Sequence, residues 1–131
     1  MDGSFYLIRV SASGAFEAME VSAGAVPQET LCALLQTDVT ERLRIAVRPE
    51  NLDDAAVLCY LIDARGGDKA LPANWIGTCF YHTGCPVFGD LLICKCPHAH
   101  PEDAVSGFSE AEKNLLLTWL SVQFPFRNDD I

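Results

Sequence analysis

The run AVLCYLID at residues 56–63 is almost continuously apolar. It lacks the alternating polar residues that a strand with one face in water would carry. The run therefore predicts a central strand that is buried on both faces. Such a strand needs neighbours in a sheet, and the rest of the chain has to supply them.

Four other segments are candidate neighbours of this strand. Two of them, residues 5–10 and 15–21, flank a short turn and predict a β-hairpin. The segment at residues 42–47 alternates, with apolar residues on one side and arginines on the other, and predicts a strand with one solvated face. Residues 91–96 follow a Gly-Asp turn and predict a further strand.

Three helices are predicted, and each has a recognisable start. Pro27 suits the first position of a helix, Asn74 is a good N-cap, and Ser109 begins a capping box that a Glu completes three residues later. The predicted helices cover residues 27–37, 75–81 and 110–123. The length of 131 residues is that of one domain. The sequence thus predicts an α+β fold, 1–131, in which two or three helices pack on an antiparallel or mixed sheet of about five strands.

The charge balance restricts the class of partner. The chain has 18 acidic residues against 9 basic ones, a net charge of −9. Such a surface repels phosphate backbones, so no direct nucleic-acid binding is expected. The charge favours either solubility or a basic partner, and the spread of the acids along the chain favours a solvated surface. No apolar run approaches the roughly 20 residues of a membrane helix, and the N-terminus lacks the features of a secretory signal. The prediction is a cytoplasmic protein whose six cysteines are thiols.

A cluster of potential metal ligands, CKCPHAH, follows the last apolar run. Residues two apart on a strand share a face at a spacing of about 6.6 Å, so Cys94 and Cys96 could both contact a zinc ion. His98 and His100 could join them only if the chain reversed at Pro97. The alternative, which the irregular ligand spacing favours, is that the cysteines are buried strand residues and the histidines are solvated. Zinc is therefore the alternative cofactor, and no cofactor is the leading expectation.

A second arrangement could support thiol chemistry. Cys79 and His82 lie three apart on a predicted helix, and Cys85 is close by in sequence. An imidazole can activate a cysteine nucleophile, but no third group that would orient it is identifiable. The sequence also contains no phosphate-binding loop, hydrolase elbow or zinc-protease motif. No catalytic residues are predicted.

The stretch from residue 60 to residue 95 resembles a known family. In order, it contains a strand ending in an acid, a Gly turn, Leu-Pro-Ala-Asn, a short helix with aromatic residues, and GCPVFGDLLICK. This order resembles the domain of unknown function family numbered 3846, small proteins of phages, plasmids and conjugative elements of Gram-positive bacteria. The resemblance covers residues 5–95, and residues 96–131 form a C-terminal loop and helix extension outside it.

The resemblance implies a small intracellular α+β protein of a mobile element, and it implies no catalytic residues. Its most specific positions are Leu71, Pro72, Asn74, Gly89 and Asp90. Pro, Asn and Gly direct the path of the backbone, through a fixed φ, a helix cap and a tight turn respectively. A structural role is therefore expected for this motif.

The last predicted helix is apolar nearly all round, which is more than one sheet can cover. Either the rest of the domain covers it, or it contacts a second subunit. The second alternative predicts a two-fold homodimer with Trp119 as the interface anchor, flanked by Leu116 and Leu120.

Together these features favour a small acidic accessory protein that is not an enzyme and that binds or inhibits a host protein. The alternative is a metal-binding or thiol-active protein that uses the Cys/His cluster at residues 79–100.

Overall fold

The computed structural model describes residues 5–21, 25–44, 57–80, 86–96 and 105–124. For Arg44, Val57, Cys79, Phe80 and Cys96 only the backbone is described.

Within these residues, five strands form one antiparallel sheet. In chain order they are β1 (Phe5–Val10), β2 (Phe16–Val21), β3 (Thr40–Arg44), β4 (Val57–Asp63) and β5 (Leu91–Cys96). Their order across the sheet is β2-β1-β5-β4-β3, and every neighbouring pair is antiparallel. The predicted α+β class is confirmed, and β5 is the middle strand.

Three helices in the described part of the chain cover the two faces of this sheet. They are α1 (Gln28–Leu35), α2 (Trp75–Phe80) and α3 (Glu110–Gln123). Leu31 and Leu35 of α1 pack in a cluster on one face, whereas Ile76 of α2 and Leu116 of α3 belong to the cluster on the other face. This two-sided cover explains why β4 is apolar at almost every position.

The alternation within β4 divides its side chains between the two clusters. Leu58, Tyr60 and Ile62 belong to the cluster under α2 and α3, and Cys59 and Leu61 belong to the cluster under α1. All five are nearly inaccessible to solvent. The predicted burial of this strand on both faces is therefore confirmed, but the middle position of the sheet belongs to β5 and β4 lies beside it.

The strand β3 begins at Thr40, two residues before its predicted start, and the environment of its arginine also differs from the prediction. The arginine side of this strand was expected to face water, yet Arg42 is half-buried and its Nη1 atom is inaccessible to solvent. Arg42 pairs in register with Leu61, whose side chain lies in the cluster under α1. The arginine therefore lies on a covered face of the sheet. Residues 45–48 lie outside the described residues.

The helix α3 begins as its sequence predicts. The Ser109 side chain accepts a hydrogen bond from the Glu112 amide at 3.2 Å, and the Glu112 carboxylate accepts one from the Ser109 amide at 2.9 Å. Lys95 of β5 also donates to both oxygens of Glu112, at 2.9 and 3.0 Å. The N-terminal end of α3 is thus fixed to the middle strand.

The predicted interface on α3 needs a correction. Leu116 and Leu120 are 0% exposed in the single chain and lie in the core cluster between α3 and the sheet. Neither can reach a second subunit on this surface, so the interface assignment is wrong for these two residues. Trp119 is half-buried and packs against the same cluster, and its role as an anchor stays a prediction.

The segment that leads into α3 is part of the sheet region. Phe108 and Tyr6 exchange backbone hydrogen bonds of 2.7 and 2.9 Å, and Ser106 does the same with Lys95 at 2.9 and 3.0 Å. The Phe108 side chain is completely buried in the core. Although this segment lies beyond the family resemblance, it belongs to the same packed unit as the strands.

Candidate functional site

A polar cleft of about 330 Å³ opens where β4 ends and β5 begins. These two ends are adjacent because the strands are antiparallel, with Ile62 opposite Leu91. Four charged residues of the described segments line the cleft. They come from β1, the end of β4, the turn after it and the turn before β5: Arg9, Asp63, Lys69 and Asp90. We call this site the polar cleft.

The family-motif positions converge on this cleft. Leu71, Pro72, Gly89 and Asp90 all line it, although 16 residues separate Pro72 from Gly89 in the chain. The Gly89 amide donates to the Pro72 carbonyl at 2.7 Å, which fixes one motif segment to the other. The motif therefore builds one wall of the polar cleft.

Gly89 occupies a position that only glycine fits well. Its φ is +84°, and a Cβ atom there would lie 2.8 Å from Cδ1 of Leu71. The next residue, Asp90, accepts a hydrogen bond from the Ala12 amide at 3.0 Å and so ties this turn to the β1–β2 turn. The predicted tight turn before β5 is confirmed.

Asn74 anchors the other half of the motif behind the polar cleft. It is 1% exposed, and its side chain donates to the carbonyls of Val10 at 3.0 Å and Gly89 at 2.9 Å. Its Oδ1 atom accepts from the Gly77 amide at 3.0 Å, which makes it the predicted N-cap of α2. One buried amide therefore holds β1, α2 and the β5 turn together.

Asp63 is the most buried charge in the cleft, at 4% exposure. One carboxylate oxygen accepts from Thr37 Oγ1 at 2.8 Å and the Arg65 amide at 2.9 Å, and the other accepts from Lys69 Nζ at 2.6 Å. Burial opposes ionisation, but these donors and the Lys69 charge outweigh it, so the pKa of Asp63 lies below its ordinary value. Asp63 is thus an ionised, fully bonded carboxylate.

Lys69 connects this carboxylate to the end of α1. Gln36 ends the helix in the left-handed conformation, with φ 56°, and its carbonyl lies 3.4 Å from Lys69 Nζ. A cation at a helix C-terminus is favourable because the last carbonyls are unpaired and partly negative. Neither Asp63 nor Lys69 is among the site residues predicted from the sequence. The sequence feature that could have identified Asp63 is its position as the single acid at the end of an apolar strand.

The cysteine cluster is only partly within the described residues. Cys94 is completely buried under α1, and burial raises the pKa of its thiol to about 12, although nearby Arg42 acts in the opposite direction. Such a thiol stays protonated and is a poor nucleophile or ligand. The side chains of Cys79 and Cys96, and residues 81–85 and 97–100, lie outside the described part. Within that part, no group of three His, Cys, Asp or Glu side chains is arranged to hold a metal.

One expectation about the cysteines is wrong. Cys59, which lies opposite Cys94 in the β4–β5 ladder, is disulfide-bonded. Cys32 and Cys94 are free thiols, so the partner of Cys59 lies outside the described side chains. The chain therefore contains a disulfide as well as thiols.

Replacing Cys94 with Ala is expected to lower the free energy of unfolding by about 1–2 kcal/mol, because it truncates a small buried side chain. Urea unfolding measures this change, and Cys32→Ala on the half-exposed side of α1 is the matched control with a smaller expected effect.

Elemental analysis of the purified protein is expected to find no stoichiometric zinc. One zinc per chain that disappears in Cys96→Ser would contradict the assignment of these cysteines to the strand.

No family model, curated protein or solved structure matches the chain. The resemblance to the mobile-element family therefore stays a prediction. None of the helices in the described part is both long and apolar enough to cross a membrane.

Proposed function

We propose that this chain is a non-enzymatic accessory protein of a mobile genetic element, and that it binds and inhibits a basic host protein through a surface centred on Trp75. The observation that carries the proposal is the exposure of Trp75, which is 71% accessible to solvent. A large aromatic side chain that is held in water has a high affinity for a partner that can bury it, and Trp is enriched among the residues that dominate binding.

The support beneath Trp75 favours a binding role. It is the first residue of α2 and directly follows Asn74. The Asn74 side chain makes three buried hydrogen bonds, and its backbone amide donates to the Val87 carbonyl at 2.7 Å. The next residue, Ile76, is buried in the core. The backbone that carries Trp75 is therefore held rigidly before any partner binds, which lowers the entropy cost of association.

The net charge indicates the chemistry of the partner. With 18 acidic and 9 basic residues, the chain attracts a basic surface and repels an acidic one. Arginine or lysine side chains of such a partner could also contact the face of the Trp75 ring. A nucleic-acid enzyme of the host, whose own binding groove is basic, fits both requirements.

The bonding of the polar cleft supports a non-enzymatic function. Its most buried carboxylate, Asp63, accepts from three donors and has a lowered pKa, so it is poorly suited to act as a general base near neutral pH.

A homodimer stays a further proposal. On α3 it would have to use half-buried Trp119 and the exposed Val122, since Leu116 and Leu120 are in the core.

The test is affinity capture of host proteins on the immobilised chain, followed by purification of the captured partner. The partner is expected to be basic, its association rate is expected to fall as salt rises, and Trp75→Ala is expected to weaken binding by about 2 kcal/mol, roughly 30-fold. Val122→Ala is the matched control, because Val122 is as exposed as Trp75 but lies on α3.

Both variants should unfold at the same urea concentration as the wild-type protein, because neither side chain contributes to the core. A partner that binds wild type and Trp75→Ala equally well would contradict a surface centred on Trp75. An acidic partner, or an association rate that is insensitive to salt, would contradict the electrostatic part of the proposal.

A further inference from the structure

The polar cleft contains two opposite charges that are not paired with each other. Asp63 and Lys69 form a closed ion pair at 2.6 Å. The other two charged residues of the cleft, Arg9 and Asp90, each bond elsewhere: Arg9 to Glu17 at 2.6 Å, and Asp90 to the Ala12 amide at 3.0 Å. One cleft therefore presents a guanidinium and a carboxylate to the same space.

Both of these groups keep bonding capacity for a ligand. Asp90 uses one carboxylate oxygen for the Ala12 amide, and its second oxygen has no partner among the described residues. Arg9 contacts Glu17 through Nη2 alone, and a guanidinium has five N–H donors. The Arg9–Glu17 pair is partly exposed, so it competes only weakly with a ligand that enters the cleft.

We propose that the polar cleft binds a free α-amino acid. The ligand carboxylate would contact Arg9, and the positive charge of Lys69 would also attract it. The ligand ammonium group would contact Asp90. A ligand with one charge fits less well, because a simple anion would meet Asp63 and Asp90 and a simple cation would meet Arg9 and Lys69. A ligand with both charges can bond to the two groups, Arg9 and Asp90, that are not paired with each other. This inference is independent of the surface around Trp75.

The uncharged walls of the cleft indicate the kind of amino acid. Leu34, Leu71 and Pro72 line it beside the charged residues, and together they offer an apolar surface to a ligand side chain. The volume of about 330 Å³ is at the lower end for ligand sites, which suits a single amino acid better than a larger metabolite. An aliphatic amino acid such as leucine combines the charges and the side chain that these walls accept.

The experiment is an NMR titration of the ¹⁵N-labelled full chain with L-leucine. Matched probes are 4-methylpentanoate, which lacks the ammonium group, and 3-methylbutylamine, which lacks the carboxylate. We expect saturable shifts of the amide signals of Gln36, Gly89 and Ala12 with leucine, and at least tenfold weaker binding of either analogue. Absence of saturable shifts with leucine, or equal binding of an analogue, would overturn the proposal.

Variants assign the two charges. Asp90→Asn keeps an oxygen acceptor for the Ala12 amide but removes the charge, and Arg9→Gln removes the guanidinium. Each is expected to weaken leucine binding about tenfold or more. Glu17→Gln is the matched control, because it removes the same surface ion pair but leaves Arg9 in place, and it should leave binding unchanged. If Glu17→Gln lost as much binding as Arg9→Gln, the loss would come from the broken ion pair between β1 and β2 and not from a missing contact with the ligand. That result would overturn the assignment of Arg9 to the ligand carboxylate.

Discussion

Replacing Asn74 with Ala is expected to lower the free energy of unfolding by about 4 kcal/mol. The change removes three buried hydrogen bonds and leaves the carbonyls of Val10 and Gly89 and the amide of Gly77 without this partner. A buried polar group that loses its partner costs about 1–3 kcal/mol, and the loss of an N-cap costs about 1 kcal/mol. Contributions at one site are not additive, which is why the expected total lies in the lower half of the range of their sum.

Urea unfolding followed by far-UV circular dichroism measures this loss. Asn114→Ala is the matched control, since Asn114 is exposed on α3 and its replacement should change stability by less than about 0.5 kcal/mol. A loss below about 1 kcal/mol in Asn74→Ala, a typical value for a cap alone, would contradict the role of Asn74 in joining β1, α2 and the turn before β5.

Replacing Asp63 with Ala is expected to lower the free energy of unfolding by about 3 kcal/mol at pH 7. The variant leaves the Thr37 hydroxyl, the Arg65 amide and the Lys69 ammonium without their acceptor. The value lies at the low end for a broken buried ion pair, because Lys69 is partly exposed to water. Asp68→Ala, an exposed acid in the same turn, is the control with little expected effect.

The same carboxylate makes stability depend on pH. Although burial opposes their ionisation, bonds from Lys69 and Lys95 hold the pKa values of Asp63 and Glu112 below those of the unfolded chain, which are near 4. The unfolded state therefore binds protons first as the pH falls. The stabilising contribution is complete above about pH 5 and is lost as the pH falls through the lower, folded-state values.

Unfolding curves at pH 7, 4 and 2.5 measure this dependence. The stability difference between wild type and Asp63→Ala is expected to shrink as the pH falls, because the wild-type carboxylate then becomes protonated. An equal difference at all three values would mean that Asp63 acts through packing and not through its charge.

The sequence predicted those parts of the fold that depend on neighbouring residues. The Ser109–Glu112 capping box, the Asn74 cap, the β1–β2 hairpin and the turn at Gly89 all occur in the structure. Each is indicated by residue types that lie within a few positions of one another, so a short stretch of chain is enough to predict it. The apolar run of β4 also predicted its own burial, because both of its faces are apolar.

Only the tertiary structure decided which distant residues meet. Arg9, Asp63, Lys69 and Asp90 line one cleft because β5 lies between β1 and β4, and no local pattern specifies that strand order. Only the tertiary structure also decided what Leu116 and Leu120 contact. The sequence pattern of an apolar helix is the same whether the helix packs on its own sheet or on a second subunit.

Burial of Arg42 and the disulfide of Cys59 are likewise results of long-range packing, which depends on the whole chain and not on one stretch of it. The sequence by itself indicated where the helices, strands and turns lie, because helix caps, turn residues and apolar patterns are local. The tertiary structure decided the polar cleft, since its charges come together only when strands that are far apart in sequence pair in one sheet.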